Sequence, residues 1–256
     1  MGLFDTHAHL YDKAFDSDRE EVISKIFETL DYVVIPSENL ETSQKVVSLA
    51  ESHPKLFAAV GIHPQETREA TEDILGEIAT LAKSHPKVKA IGEIGLDYYY
   101  LYTEKEVQKY WFGRQIEMAK ELNLPILIHD RDAHGDTLEI LKAHRDGNLR
   151  GILHCFSGSL ETAKELMKLG FYISFAGPVV FPKSVKLKDV AREIPMNRIL
   201  IETDSPYLTP PPYRGKRNNP ANVFYVAEEI ARLKGMEISE FIAQTKKNAM
   251  AIYDIQ

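Results

Sequence analysis

Residues 125–157 read PILIHDRDAHGDTLEILKAHRDGNLRGILHCFS: two apolar runs, each carrying a histidine towards its end, with a helical pattern between them. Neither run alternates polar with apolar residues. Strands of that composition belong to parallel sheets covered on both faces. The same unit recurs along the chain. Strand-like runs occur at GLFDTHA (2–8), YVVIPS (32–37), LFAAVGI (56–62), KAIGEIG (89–95), PILIHD (125–130), GILHCFS (151–157), FYISFAG (171–177) and RILIETD (198–204), with helical stretches between them. Eight strands alternating with helices, roughly 20–35 residues apart, predict an α/β fold, a (β/α)8 TIM barrel, as a single domain over residues 1–256. A doubly wound open sheet is the competing architecture, but no GxGxxG follows the first strand.

Some helix starts are legible. Ser17 with Glu20, and Thr103 with Glu106, have the spacing of capping boxes. Val223, Val226, Ala227, Ile230 and Ala231 recur at helical spacing and form one apolar face, and a last helix is expected over about 238–253. SPYLTPPPYRGKRNNP (205–220) is the longest irregular connection; following the eighth strand, it is expected over the mouth of the barrel.

Composition narrows the function classes. The 256 residues are 44% hydrophobic and 27% charged, as in ordinary globular proteins. A net charge of −7 argues against coating nucleic acid by bulk electrostatics, though not against an enzyme that meets it through metals and a local basic loop. One cysteine, Cys155, excludes an internal disulfide. With no leader-like N-terminal pattern and no apolar run near membrane-spanning length, the expectation is a cytoplasmic protein without membrane contact or an obligate protein partner.

Chemistry in such barrels collects at the C-terminal ends of the strands. His7 and His9 end the first run, His63 the third, Glu93 the fourth, His129 the fifth, His154 the sixth and Asp204 the eighth. SHPK, at 52–55 and again at 84–87, supplies a control: it precedes strands, so His53 and His85 are expected as turn residues on the opposite face. His7 and His9, two apart on a strand, are expected to share the interior face. Burying four histidines with two carboxylates is costly unless a cation compensates. Imidazole with carboxylate suits zinc, manganese or a related divalent ion. His7, His9, Glu93, His129, His154 and Asp204 are too many for one tetrahedral site with an open position, but suffice for two metals bridged by a carboxylate. Glu93, midway round the barrel, is the natural bridge. Asp204 suits the added duty of taking a proton from water. Asp5 is expected as a supporting neighbour of the pair, and Cys155 as an inert thiol facing outwards under a helix.

DTHAHL (5–10), GIHP (61–64), GEIGLDYY (92–99), IHDRDA (128–133), LHCFSG (153–158) and ETDSPYLTP (202–210), in this order, resemble the TatD-type metal-dependent deoxyribonucleases of the amidohydrolase superfamily. The RNNP segment and the terminal helices extend the likeness over the whole chain. The resemblance implies hydrolysis of DNA phosphodiester bonds, as an exonuclease. It also implies one metal on His7, His9, Glu93 and Asp204 and a second on Glu93, His129 and His154. Many superfamily relatives bridge their metals with a carbamylated lysine; Glu93 stands there in this chain, as in this branch.

The resulting expectation is a deoxyribonuclease that activates water with two divalent ions (Zn, Mn or Mg), takes DNA as a transient partner and uses Asp204, Glu93 and His63 catalytically. His63, outside the implied ligand set, is assigned to phosphate contact or leaving-group protonation, against an inert His-Pro turn. Arg131, with Arg214, Lys216 and Arg217 of the long loop, is a candidate for phosphate contact; Tyr98, Tyr99, Tyr100 and Tyr207 are candidates for base stacking. A solvated basic patch and rim packing are the bland alternatives. A hydrolase of the same scaffold acting on a small ester, amide or aminoacyl ester is the rival function, followed by a non-catalytic metal-binding barrel.

Overall fold

The computed structural model describes residues 2–256. Among them, eight strands run in chain order: β1 (Leu3–Asp5), β2 (Leu30–Pro36), β3 (Leu56–Val60), β4 (Val88–Asp97), β5 (Ile126–Arg131), β6 (Gly151–Leu153), β7 (Tyr172–Phe175) and β8 (Ile199–Ile201). Between and after them lie α1 (Arg19–Ile26), α2 (Leu40–Ser52), α3 (Glu72–Ser84), α4 (Lys105–Glu121), α5 (His134–Ala143), α6 (Leu160–Lys168), α7 (Val185–Glu193), α8 (Val223–Lys234) and α9 (Ile238–Tyr253). Every strand pairs in parallel with its neighbour in sequence, β1 to β8. The ring closes where Thr6 N–H donates to Ile201 O at 3.2 Å and where Ala8 bridges Ser205. The fold is a (β/α)8 barrel. No helix among the described residues is long and apolar enough to cross a membrane.

Two apolar layers explain the continuous strand runs. Phe4, Val34, Phe57, Ala59, Ala90, Leu127, Ile152 and Leu200 form one buried cluster that fills the barrel interior. Ile252, Tyr253 and Ile255, at the end of the chain, join it and plug the end of the barrel where the strands begin. The Tyr253 ring stacks on Phe4 at 6.0 Å and its hydroxyl donates to Thr6 O at 3.0 Å. The opposite strand face, including Val33, Ile35, Val60, Ile126, Ile128 and Ile173, packs with helix residues such as Val226 and Ile230. Each such side chain contributes about 1.5–3 kcal/mol of transfer free energy, so burial on both faces favours apolar residues along the strands.

The predicted capping boxes at Ser17 and Thr103 do not form. The helices begin after Asp18 and Glu104, and neither side chain accepts a capping hydrogen bond from its own helix. Thr103 is drawn elsewhere: its hydroxyl donates to Gln65 O at 3.3 Å and its carbonyl accepts from Gln108. A capping box does close α2, where Asn39 Oδ1 accepts from Thr42 N–H and Thr42 Oγ1 accepts from Asn39 N–H. A threonine in the place of the usual Glu or Gln hides that box from the spacing rule.

Candidate metal centre

Spacing from the interior residues matches the pleat for three of the six expected ligands. His129 and His154 follow the interior residues Leu127 and Ile152 by two positions, and Asp204 follows Leu200 by four. Glu93 breaks the alternation, lying three after the interior Ala90. There the β4–β5 register slips: Ile91 pairs with Ile126 but Ile94 with Ile128, three residues against two. That extra residue turns Glu93 into the barrel. Gly95 makes the tight pairing possible. It holds φ +138°, and a Cβ on it would lie 2.0 Å from His129 O. His7 also falls out of phase with Phe4. β1 ends at Asp5 and the chain bends at Thr6, so a bend, not strand alternation, aims His7 and His9 together.

Two groups of donors meet at Glu93. On one side His7 Nε2 lies 3.0 Å from His9 Nε2, 3.4 Å from Glu93 Oε2 and 3.5 Å from Asp204 Oδ1; His9 Nε2 is 3.2 Å from the same Asp204 oxygen. On the other side Glu93 Oε1 lies 2.8 Å from His154 Nε2 and 2.9 Å from His129 Nδ1, which are 3.3 Å apart. Burial opposes the charge on Glu93, yet the His154 and His7 imidazoles, with the hydrogen bonds from His129 and His154, hold its carboxyl well below the usual range. The buried Nδ1 atoms of His7 and His9 have no hydrogen-bond partner among the described residues. Lone-pair donors so close together, with oxygens of two carboxylates among them, repel one another unless protons or cations intervene. Imidazole and carboxylate around a shared oxygen pair are the chemistry of a divalent cation site, and the residues fit one.

Carboxylates behind the rings set their orientation. Asp97 Oδ2 lies 3.1 Å from His129 Nε2 and also accepts from Gln65 Nε2 at 2.8 Å. Glu202 Oε1 lies 3.2 Å from His154 Nδ1 and accepts from Cys155 N–H at 2.7 Å, while its Oε2 accepts from Ser174 Oγ. Each carboxylate holds its ring from the outer nitrogen and turns the inner nitrogen towards Glu93, where it would be free to ligate once a cation replaced its proton.

The family model described as TatD related DNase matches residues 4–254. The chain belongs to that family of metal-dependent hydrolases. It is 47% identical over 254 residues to an "Uncharacterized metal-dependent hydrolase YabD" of Bacillus subtilis, covering 99% of each chain. It is 32% identical over 262 residues to a "3'-5' ssDNA/RNA exonuclease TatD" of Shigella flexneri, again covering 99% of each. The structure of the TatD homologue YJJV from Escherichia coli K12 superposes with a TM-score of 0.93 at 28% identity, covering 99% of this chain and 98% of the other.

A cavity of about 610 Å3 opens over the TatD-family centre, lined in part by His9, His63, Glu93, His129, His154 and Asp204. His63 Nδ1 accepts from Gln65 N–H, so its proton sits on Nε2, 3.7 Å from Glu93 Oε1. Burial, reinforced by the neighbouring His129 ring, pushes His63 down to about 3, so it stands there as a neutral donor. Glu38, at the end of β2, enters the cavity facing the Tyr11 hydroxyl. Sequence reasoning passed over Glu38, Gln65, Asp97 and Glu202; Asp97 and Glu202 stand within quoted motifs, and Glu38 follows its strand just as Asp204 follows β8.

Other placements differ from expectation. Cys155 does not face outwards: β6 ends at Leu153, Cys155 turns with φ +41°, and it lines the cavity. Burial still pushes its thiol well up, as an inert group requires. Asp5 supports backbone rather than rings, its Oδ1 accepting from His7 N–H at 3.2 Å and Thr203 N–H at 3.0 Å. Tyr98 turns its hydroxyl to Asp136 at 2.6 Å and is outside the cavity lining; Tyr100 and Arg131 line it. Tyr207 lines it too, its ring 5.9 Å from His9 and its hydroxyl donating to Asp12. Arg214 lies over the Phe181 ring at 4.6 Å, away from the lining, and Arg217 is clamped by both oxygens of Asp18. At the opposite end His53 stacks on Phe27 at 4.4 Å and His85 pairs with Glu51.

Proposed function

We propose that the chain is a nuclease that hydrolyses DNA phosphodiester bonds from an end, using two divalent ions (Zn, Mn or Mg). The observation carrying this is that the two oxygens of Glu93 face two separate donor groups. Support for the substrate comes from relatives named as 3'-5' ssDNA/RNA exonucleases over 99% of the chain. His7, His9, Glu93 and Asp204 would hold one ion, and Glu93, His129 and His154 the other. When bound, such a pair polarises phosphoryl oxygens and brings the pKa of water towards neutrality.

The chain's own groups supply the rest. Asp204, at the cavity wall, accepts the proton of the attacking water. His63 presents Nε2–H to a phosphate oxygen or the leaving oxygen. Asp97 and Glu202 keep the His129 and His154 rings turned to the centre. Arg131 provides positive charge at the rim for the neighbouring phosphate. Metal-stripped protein, resupplied with Mg2+, Mn2+ or Zn2+, is expected to release mononucleotides from end-labelled single-stranded DNA. Absence of cleavage with every ion, alongside hydrolysis of a small ester or amide, would overturn the nuclease assignment.

A further inference from the structure

We propose that the loop between β4 and α4 is a stacking platform for unpaired bases of a single-stranded nucleic acid, lying next to the scissile phosphate. This rests on the nuclease reading and deepens it by assigning where the uncleaved strand lies.

Tyr99, Tyr100 and Tyr102 are 58%, 40% and 66% exposed, with Leu101 beside them at 56%. Their rings form a chain: Tyr99 meets Tyr100 edge-on at 4.7 Å, and Tyr100 lies nearly parallel to Tyr102 at 5.9 Å. The Arg131 guanidinium covers Tyr99 at 4.1 Å and Tyr100 at 4.7 Å. Among the described residues Arg131 has no carboxylate within ion-pair distance. An exposed run of aromatic rings with an uncompensated cation matches a ligand of flat apolar faces strung on phosphates.

Position strengthens the match. Tyr100 and Arg131 line the catalytic cavity, so the platform is continuous with it. Tyr99 and Tyr100 N–H groups both donate to Asp97 Oδ1, at 3.0 and 2.8 Å. The other oxygen of Asp97 faces His129. One carboxylate thus ties the platform to the metal centre and fixes the distance between a stacked base and the reacting phosphate. Every base offers a π-face, so this contact selects unpaired strand without selecting sequence.

The test is binding of a labelled single strand of about 12 nucleotides, within the usual ~4–16 nucleotide site sizes, followed by fluorescence anisotropy at fixed salt with EDTA present. A blunt duplex of the same sequence runs in parallel. Tyr99→Ala with Tyr102→Ala is expected to raise the single-strand Kd about 5- to 150-fold, the equivalent of the ~1–3 kcal/mol measured for a stacked base. Tyr99→Phe with Tyr102→Phe keeps the rings and should restore binding, and duplex binding should be unmoved by either pair. Unchanged single-strand binding in the alanine pair, or equal weakening for duplex, would overturn the platform. So would a changed oligomeric state in the alanine pair, which would assign the rings to a second copy of the chain. The parent reading fails separately: a wild-type protein that binds the strand but releases no nucleotides with any divalent ion retains the platform and loses the nuclease.

Discussion

Asp97→Asn changes one heavy atom and tests how the metal centre is held. In the native chain Asp97 Oδ1 accepts from Tyr99 and Tyr100 N–H, and an asparagine oxygen can keep both bonds. The amide nitrogen then replaces Oδ2, which faces His129 Nε2 at 3.1 Å and accepts from Gln65 Nε2 at 2.8 Å. Two donors would confront a third. The cheapest relief is for His129 to move its proton from Nε2 to Nδ1, the nitrogen 2.9 Å from Glu93 Oε1. A protonated Nδ1 cannot ligate. Loss of such an outer hydrogen bond typically weakens metal affinity or activity 10- to 100-fold, or about 1.4–2.7 kcal/mol. Calorimetric titration of Mn2+ into stripped protein is expected to show one of two sites weakened by that factor, with kcat/KM falling in parallel. The reasoning is refuted if both sites keep wild-type affinity, or if His7→Ala and Asp97→Asn weaken the same site.

The remaining expectations use different parts of the molecule. Glu202→Gln should weaken the same ion about 10- to 100-fold through His154, whose Nδ1 loses its carboxylate acceptor; titration that reports the other ion affected would count against it. His53→Ala, at the opposite end of the barrel, removes the stack on Phe27 and the Nδ1 acceptor of Lys55 N–H. It should cost on the order of 1 kcal/mol and lower Tm by ~2–4 °C, with kcat/KM unchanged in steady-state assays. Gly95→Ala pushes a methyl group against His129 O, and thermal melts should show a loss of more than about 3 kcal/mol. EDTA should lower Tm by roughly 5–10 °C if the ion is supplied at about 100 times its Kd, a linkage of ~2.7 kcal/mol reversed by adding the ion back.

The barrel was legible because each strand announces itself as a continuous apolar run, which follows from burial on both faces. The apolar face at Val223, Val226, Ala227, Ile230 and Ala231 is buried as read, and the last helix runs Ile238–Tyr253. Helix starts were less legible. Ser17 and Thr103 have the right neighbours for a cap, but Thr103 is captured by Gln65 O, a partner far away in sequence.

By itself the sequence determined which end of the barrel carries the chemistry, because a polar residue after an apolar run marks where burial stops. It also separated His129 and His154 from the turn residues His53 and His85, since their order relative to the strands differs. Only the tertiary structure decided how the rim residues face one another. The inward turn of Glu93 depends on a slipped register between β4 and β5, and that of His7 on a bend at Thr6. Asp97 and Glu202 acquire their partners across strands, at separations of 32 and 48 residues. Cys155 enters the cavity through a left-handed turn beyond the end of its strand. Each outcome is set by which neighbour a side chain reaches in space, and residue spacing along one strand carries no record of the strand beside it.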